Sequence, residues 1–284
     1  MGNIIDAIDN IIRRADKRLN GTPLSRNRVN SVGEGLEIFV KDAFTNAFDA
    51  NQEEKLRLYN NTFSYLGGEN NPPDAMIRGG EAIEVKKVLS ARSDIALNSS
   101  YPKDKLHSSD SQITQACKDC EVWDVKDMIY VIGVPNTDTN QLKSIAFVYG
   151  IDYCASNETY SRVKEAIKNS INATEHFTFA ETNELGRINR IDPLGITYFR
   201  MRGMWHISSP FVVFENIFRY SRNDTFNLNV LISEEKFNTF ANTDLLNRLA
   251  EEYETFKIED KIIPDPNNPA IIRNVKHISY HETN

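Results

Sequence analysis

The sequence predicts one α/β domain carrying elaborations, and three observations carry that prediction. Residues 128–134 and 144–153 are nearly continuous apolar runs, the pattern of strands buried on both faces. Leu36, Phe39, Val40, Ala43, Phe44 and Ala47 recur at the period of an amphipathic helix. Residues 74–77 and 81–89 are short runs separated by Arg78-Gly79-Gly80, which reads as a β-hairpin.

The elements follow in chain order. Ile4, Ile8, Ile11 and Ile12 predict a first amphipathic helix over 4–19, and an Asn- and Arg-rich loop over 20–30 comes next. Ser31 and Glu34 have capping-box spacing, so the second helix is expected to start at Ser31. Leu66 to Pro73 is a cluster of helix and strand breakers and must be loop. In the hairpin's second run Ile83, Val85 and Leu89 fall on one face, and Ala82, Glu84 and Lys86 on the other. Further helices are expected at 109–118, 158–171 and 244–256, and Pro264 to Pro269 is a rigid turn before a short tail.

At 284 residues, 40% hydrophobic and 26% charged, the chain has the material for a real core, which excludes a disordered or collagen-like protein. No run approaches the ~18 apolar residues of a membrane span. The first residues carry acids early and no basic segment before an apolar one, unlike a secretory signal. Three cysteines make no disulfide framework. Cys117 and Cys120 form a CxxC without a second ligand pair, so thiols in a reducing cytoplasm are expected.

The net charge of −7 argues against a passive nucleic-acid coat, but charge is unevenly spread. Residues 185–222 hold six arginines, no lysine and two acids, whereas 234–261 hold eight acids against four bases. One face suits an anion and another does not.

Pro73-Asp74 and Glu84-Val85-Lys86 are the residues with chemistry to offer. If the hairpin forms, Glu84 and Lys86 share a strand face and Asp74 enters from the adjoining strand. Hard carboxylate oxygens hold Mg²⁺, and a lysine beside a metal-bound water can orient it, help deprotonate it or offset charge on a phosphate. On spacing alone Glu84 and Lys86 read as a salt pair on a solvated strand face; the breaker loop leading in, the Gly-Gly turn and the apolar opposite face favour the chemical reading. Trp123 and Trp205 read as core, and His107 and His206 as structural or phosphate-touching.

Pro73-Asp74 with Glu84-Val85-Lys86 resembles the PD-(D/E)XK nuclease superfamily. The resemblance extends to the NgoPII-like type II restriction endonucleases through Arg28-Val29-Asn30 and Gly33-Glu34-Gly35-Leu36-Glu37-Ile38-Phe39-Val40-Lys41-Asp42-Ala43-Phe44. It continues in Asn98-Ser99-Ser100-Tyr101-Pro102-Lys103 and Phe147-Val148-Tyr149-Gly150. The last blocks are Glu181-Thr182-Asn183-Glu184-Leu185-Gly186-Arg187 and Asp192-Pro193-Leu194-Gly195-Ile196-Thr197-Tyr198.

The resemblance implies a restriction-endonuclease-like core, a mixed central sheet flanked by helices with elaborations. The catalytic core would lie at about 28–155 and a DNA-recognition elaboration at about 180–225 of one domain spanning 1–284. It implies a Mg²⁺-dependent homodimer that cuts double-stranded DNA at a short, GGCC-like palindrome and leaves 5′-phosphates and 3′-hydroxyls. A cognate DNA methyltransferase would belong to the same system without touching it. Asp74 and Glu84 carry over as metal ligands, Lys86 as the water-positioning lysine, and Glu37 as an added helix acid near the metal.

For DNA contact, Asn98, Ser99, Ser100, Tyr101 and Lys103 form a polar patch after the catalytic strand. Arg187, Arg190, Arg200 and Arg202 suit guanine edges, because a guanidinium fork reads O6 and N7 together. Asn183 and Asn189 could read adenine or cap turns. Two other readings share these residues: a less specific nuclease of the same superfamily, and a DNA-binding protein in which the triad is a salt cluster.

Overall fold

A computed structural model describes residues 2–19, 28–67, 71–174, 176–182, 185–221 and 223–283, with the backbone alone for 28–33. The chain opens with α1 (Ile4–Arg13), α2 (Arg28–Thr45) and α3 (Gln52–Thr62). Strands β1 (Phe63–Leu66), β2 (Ala75–Ile77), β3 (Ala82–Lys87), β4 (Ile95–Asn98) and β5 (Lys105–His107) follow. Next come α4 (Gln115–Asp119), β6 (Val125–Pro135), β7 (Leu142–Tyr149), α5 (Gly150–Tyr153) and α6 (Asn157–Asn172). The arginine-rich segment forms β8 (Thr178–Ala180), β9 (Gly186–Asn189), β10 (Tyr198–Met201) and β11 (Trp205–Ile207). The chain ends with α7 (Pro210–Val213), β12 (Asp224–Ser233), α8 (Glu234–Phe237), α9 (Asp244–Glu252), β13 (Lys257–Pro264) and β14 (Ile272–Thr283).

The large sheet runs β1-β2-β3-β6-β7-β12-β14-β13, with β5 added along β6. It is mixed: β3 with β6 and β7 with β12 are parallel, and the other pairs are antiparallel. Both faces are covered, which is why β6 and β7 read as apolar runs. Ile129 and Val131 join the core beneath α1 and α2, while Met128, Tyr130 and Ile132 join the core on the opposite face with Phe211, Phe214 and Phe218. The six apolar positions of the α2 pattern are all buried. Leu36 of α2 lies against Gly133 of β6 so closely that a Cβ there would sit 2.6 Å from both Leu36 methyls. The sheet thus fixes α2, and with it Glu37.

The hairpin forms as the sequence predicts, with Ala75 opposite Ile83 and Met76 opposite Ala82. Several boundaries move. Asn3 caps α1, accepting from the Ile5 N–H at 2.9 Å, and the helix ends at Arg13 rather than continuing to residue 19. The chain there leaves to pair with the start of β7: Leu142 N–H donates to the Lys17 carbonyl at 2.9 Å. Helix α2 begins at Arg28, so Ser31 lies inside it and does not cap it; residues 28–30 of the loop expected over 20–30 are therefore helical, and 20–27 lie outside the described residues. Leu89 is 66% exposed and belongs to no core face. Gly150–Tyr153 turns into helix instead of prolonging β7, and α9 stops at Glu252. The expected tail is β14, a strand inside the sheet that pairs with both β12 and β13.

The segment from 178 to 201 folds apart from the large sheet, as the three-stranded antiparallel sheet β10-β9-β8. Its register pairs Arg187 with Arg200, Asn189 with Tyr198 and Ile188 with Phe199. Alternation therefore divides the sheet into two faces. Ile188, Phe199 and the buried Phe179 share one; Arg187, Asn189, Tyr198 and Arg200 share the other.

Candidate active site and nucleic-acid surface

Strand β3 and the residue before β2 bring the charged groups together. Asp74 is locked to β3 twice: its N–H donates to the Ile83 carbonyl at 2.9 Å, and its Oδ2 accepts the Val85 N–H at 2.6 Å. Glu84 and Lys86, two apart on one strand face, meet through Lys86 Nζ and Glu84 Oε1 at 2.5 Å. Glu84 is 7% exposed, and its second oxygen, Oε2, is buried without any hydrogen-bond partner. A buried charged oxygen with no donor is costly, and it asks for a cation or a proton. Burial first, then the Asp74 charge, pushes the Glu84 carboxyl up to about 7 despite Lys86.

Burial also opposes the charge on Lys86, but Glu84 and Asp74 outweigh it, so the ammonium holds its proton more firmly than a free lysine. Glu37 reaches the same group from α2: burial raises its carboxyl, and Asp74 raises it further, while Lys41 at 3.5 Å and Lys86 pull it down. Among the described residues no set of three or more His, Cys, Asp or Glu side chains is close enough together to hold a metal. Asp74 and Glu84 are the two carboxylates at hand. Two suffice for Mg²⁺, which keeps several waters and takes substrate oxygens to fill its shell.

The expected polar patch lies one strand away. Tyr130 of β6 stands opposite Glu84, and its hydroxyl accepts the Lys103 N–H at 2.7 Å. Lys103 itself is not the surface cation the sequence suggests. It is 3% exposed, its Nζ lies 3.0 Å from Asp110 and 4.2 Å from the Tyr101 ring centroid, and it holds the loop in place. Tyr101 is half-buried, stacked on Tyr160 at 5.8 Å and edge-on to Trp205 at 6.4 Å. Ser99 and Ser100 are half-buried, and Asn98 is exposed in left-handed backbone at φ 52°.

Tertiary structure joins this patch to the arginine segment. Trp205 of β11 pairs with Asn98 of β4, and Ser99, Tyr101, Leu185, Gly203 and Trp205 line one cavity of about 190 Å³. Arg187, Arg190, Arg200 and Arg202 are all exposed, and the Arg187 guanidinium sits 5.4 Å from the Tyr198 ring centroid. Asn189 is half-buried in β9, and Asn183 lies outside the described residues. Trp205 is half-buried against the core rather than inside it, and Trp123 packs likewise. Sequence reasoning passed over Tyr130 and Tyr160. Neither stands in a motif; Tyr130 hides in an apolar run, and only strand register reveals what it faces. The CxxC thiols are free, and burial pushes Cys117 up to about 12.

A mixed, helix-flanked sheet whose β2–β3 hairpin carries this charged group is a restriction-endonuclease-like architecture. The family model of the NgoPII restriction endonuclease matches residues 2–264. A curated protein, the type II restriction enzyme NgoPII of Neisseria gonorrhoeae, is 49% identical over 279 residues, 98% of this chain and 99% of the relative. No solved structure matches the chain. The chain belongs to the NgoPII restriction endonuclease family, and it is a restriction endonuclease by that membership.

Proposed function

We propose that this protein is a Mg²⁺-dependent homodimer that hydrolyses double-stranded DNA at a short palindrome, leaving 5′-phosphate and 3′-hydroxyl ends. The observation that carries this reading is Glu84, whose buried Oε2 has no partner and whose Oε1 meets Lys86 at 2.5 Å beside Asp74. Asp74 and Glu84 would hold Mg²⁺, with Glu37 close enough to adjust their charge. The bound metal would supply Lewis acidity toward the scissile phosphate and a more acidic water.

The chain's own residues do the rest. Lys86, firmly protonated, donates to the attacking water or to a phosphate oxygen and offsets the charge that builds there; it is a poor base in that state. Water adds to phosphorus, the bond from phosphorus to the 3′ oxygen breaks, and a proton ends on that oxygen. The Val85 N–H holds Asp74 in place through the step.

Residues at about 28–155 form the catalytic core in this reading, and those at about 180–225 the recognition elaboration. Arg187, Arg190, Arg200 and Arg202 face the duplex, and Asn98, Ser99, Ser100 and Tyr101 flank it; Lys103 supports that loop from within. A two-fold palindrome is most simply matched by a two-fold dimer. A methyltransferase of matching specificity would protect host DNA.

The deciding experiment is digestion of a plasmid with and without Mg²⁺, sequencing the ends. Discrete fragments only with the metal are expected, and a GGCC-containing plasmid is the first to try. A continuous smear would mark a less specific nuclease. Intact but bound plasmid would reduce the triad to a salt cluster on a DNA-binding protein.

A further inference from the structure

The hairpin of β9 and β10 closes in a loop, residues 190–197, that is built to one shape. The Asp192 carboxylate organises it. Oδ1 accepts from the Leu194 N–H at 3.0 Å and the Ile196 N–H at 3.4 Å, and Oδ2 accepts from the Thr197 N–H at 2.6 Å and from the Thr197 hydroxyl. Gly195 N–H donates to the Asp192 carbonyl at 2.8 Å, and Ile191 N–H to the Thr197 carbonyl at 3.2 Å. Arg190 and Gly195 take left-handed backbone, at φ 53° and 67°.

What this scaffold presents to solvent is apolar. Leu194 is 82% exposed and Ile196 76%, and Pro193 is exposed beside them. A slack loop would fold such side chains inward; here the loop's hydrogen bonds hold them out. Immediately behind the tip the surface turns cationic. Arg187 and Arg200 stand directly opposite each other on one face, and Arg190 begins the loop. Two guanidinium groups side by side on one exposed face suit a row of phosphates. Proline, leucine and isoleucine backed by arginine are the side chains that enter a DNA groove and pry a base step apart.

We propose that loop 190–197 is a wedge: on the cognate duplex Leu194 and Ile196 enter the groove and unstack a base step, while Arg187, Arg190 and Arg200 hold the strands beside it. The wedge rests on the reading above that this hairpin faces DNA. Specificity would then come partly from how easily a given step unstacks, at positions no side chain reads by hydrogen bonds.

The test uses the full-length protein in Ca²⁺ with a duplex carrying the site mapped by plasmid digestion. 2-Aminopurine replaces one base of that duplex at a time, and its fluorescence reports unstacking. A several-fold rise at a single step is expected on binding. The double variant Leu194→Ala/Ile196→Ala should abolish that rise and bind the site about tenfold more weakly, with binding to a scrambled duplex unchanged. Both side chains are mostly exposed, so its melting temperature should match that of the wild type, which separates this effect from misfolding.

Unchanged fluorescence on a duplex that is demonstrably bound, or a rise that survives in the double variant, overturns the wedge and leaves the nuclease reading intact. A variant that sediments as monomer without DNA, where the wild type is a dimer, also overturns it and assigns the tip to a second copy of this chain. Failure of the wild type to bind any duplex removes the DNA reading and the wedge together.

Discussion

Glu84 is placed at a thermodynamic loss that a bound cation would recover, because its buried Oε2 has no hydrogen-bond partner. Its carboxyl titrates at about 7 because burial and Asp74 outweigh Lys86. A folded-state value above the unfolded ~4.3 means that the folded chain binds the proton more tightly, so this group lowers metal-free stability as pH rises from about 4 to 7. Glu84→Gln removes the charge while keeping the shape. It should stop cleavage, keep DNA binding, and raise the metal-free unfolding free energy at pH 8 by about 1–3 kcal/mol, read by urea denaturation. A less stable Glu84→Gln would show that the Lys86 contact outweighs burial. Cleavage should also fall as pH drops below about 7, with the inflection moving lower as Mg²⁺ rises, because metal and proton compete for the same oxygens. An inflection indifferent to Mg²⁺ would remove Glu84 from the metal site. Lys86→Ala should still bind metal but lose turnover, since in the proposed mechanism the ammonium acts on water or phosphate.

Elements carry these residues to their places, and two elements make separable predictions. Helix α2 rests on Gly133 through Leu36, which is fully buried and cannot swing away from an added methyl. Gly133→Ala should cost about 1–3 kcal/mol by overpacking and should reduce activity further by lifting Glu37 from the Asp74 group; thermal melting and initial rates report the two effects. The β9–β10 hairpin is tested by alanine at Arg187, Arg190, Arg200 and Arg202 in turn. An arginine that reads a base edge should lose ~1–3 kcal/mol of binding on the cognate duplex and relax one base-pair position. An arginine on phosphate should instead weaken binding to all sequences and flatten the salt dependence. Equal losses by all four variants on cognate and scrambled DNA would make the hairpin an electrostatic clamp.

At the scale of the whole molecule, the charge asymmetry acquires a geometry. Arg187 and Arg200 stand on a small sheet of their own, with Arg190 in its loop and Arg202 just past β10, and the pairing of β11 with β4 joins this segment to the patch at 98–101. Part of the acid-rich stretch forms β13, which ends the strand order opposite the β1–β2–β3 end that bears Asp74 and Glu84. The acid-rich strand β13 and the hairpin bearing Asp74 and Glu84 thus lie toward opposite ends of the large sheet. The proposed homodimer should sediment at twice 32.4 kDa, and if each of its subunits cuts one strand, mixed dimers of wild-type and Asp74→Asn subunits should yield nicked rather than linear plasmid. Only linear product from the mixed dimers would contradict one active site per strand.

The sequence by itself determined what depends on neighbours a few residues apart. Periodicity placed α2 with its five buried positions and the buried Ala47 just beyond it, continuous apolar runs placed β6 and β7, and the Gly-Gly turn placed the hairpin with Asp74, Glu84 and Lys86. Boundaries failed where a distant partner intervened: α1 stops at Arg13 because Lys17 hydrogen-bonds Leu142, and the apparent tail became β14 because β12 and β13 offered it two edges. Lys103 looked like a surface cation because charge is visible in sequence and burial is not; Asp110, the Tyr101 ring and Tyr130 gather around it only in the fold. Tertiary structure alone decided that Asn98 meets Trp205, that Glu37 is close enough to feel Asp74, and that Glu84 Oε2 is left without a donor. Each of these depends on which strands became neighbours, and local spacing carries no record of that choice.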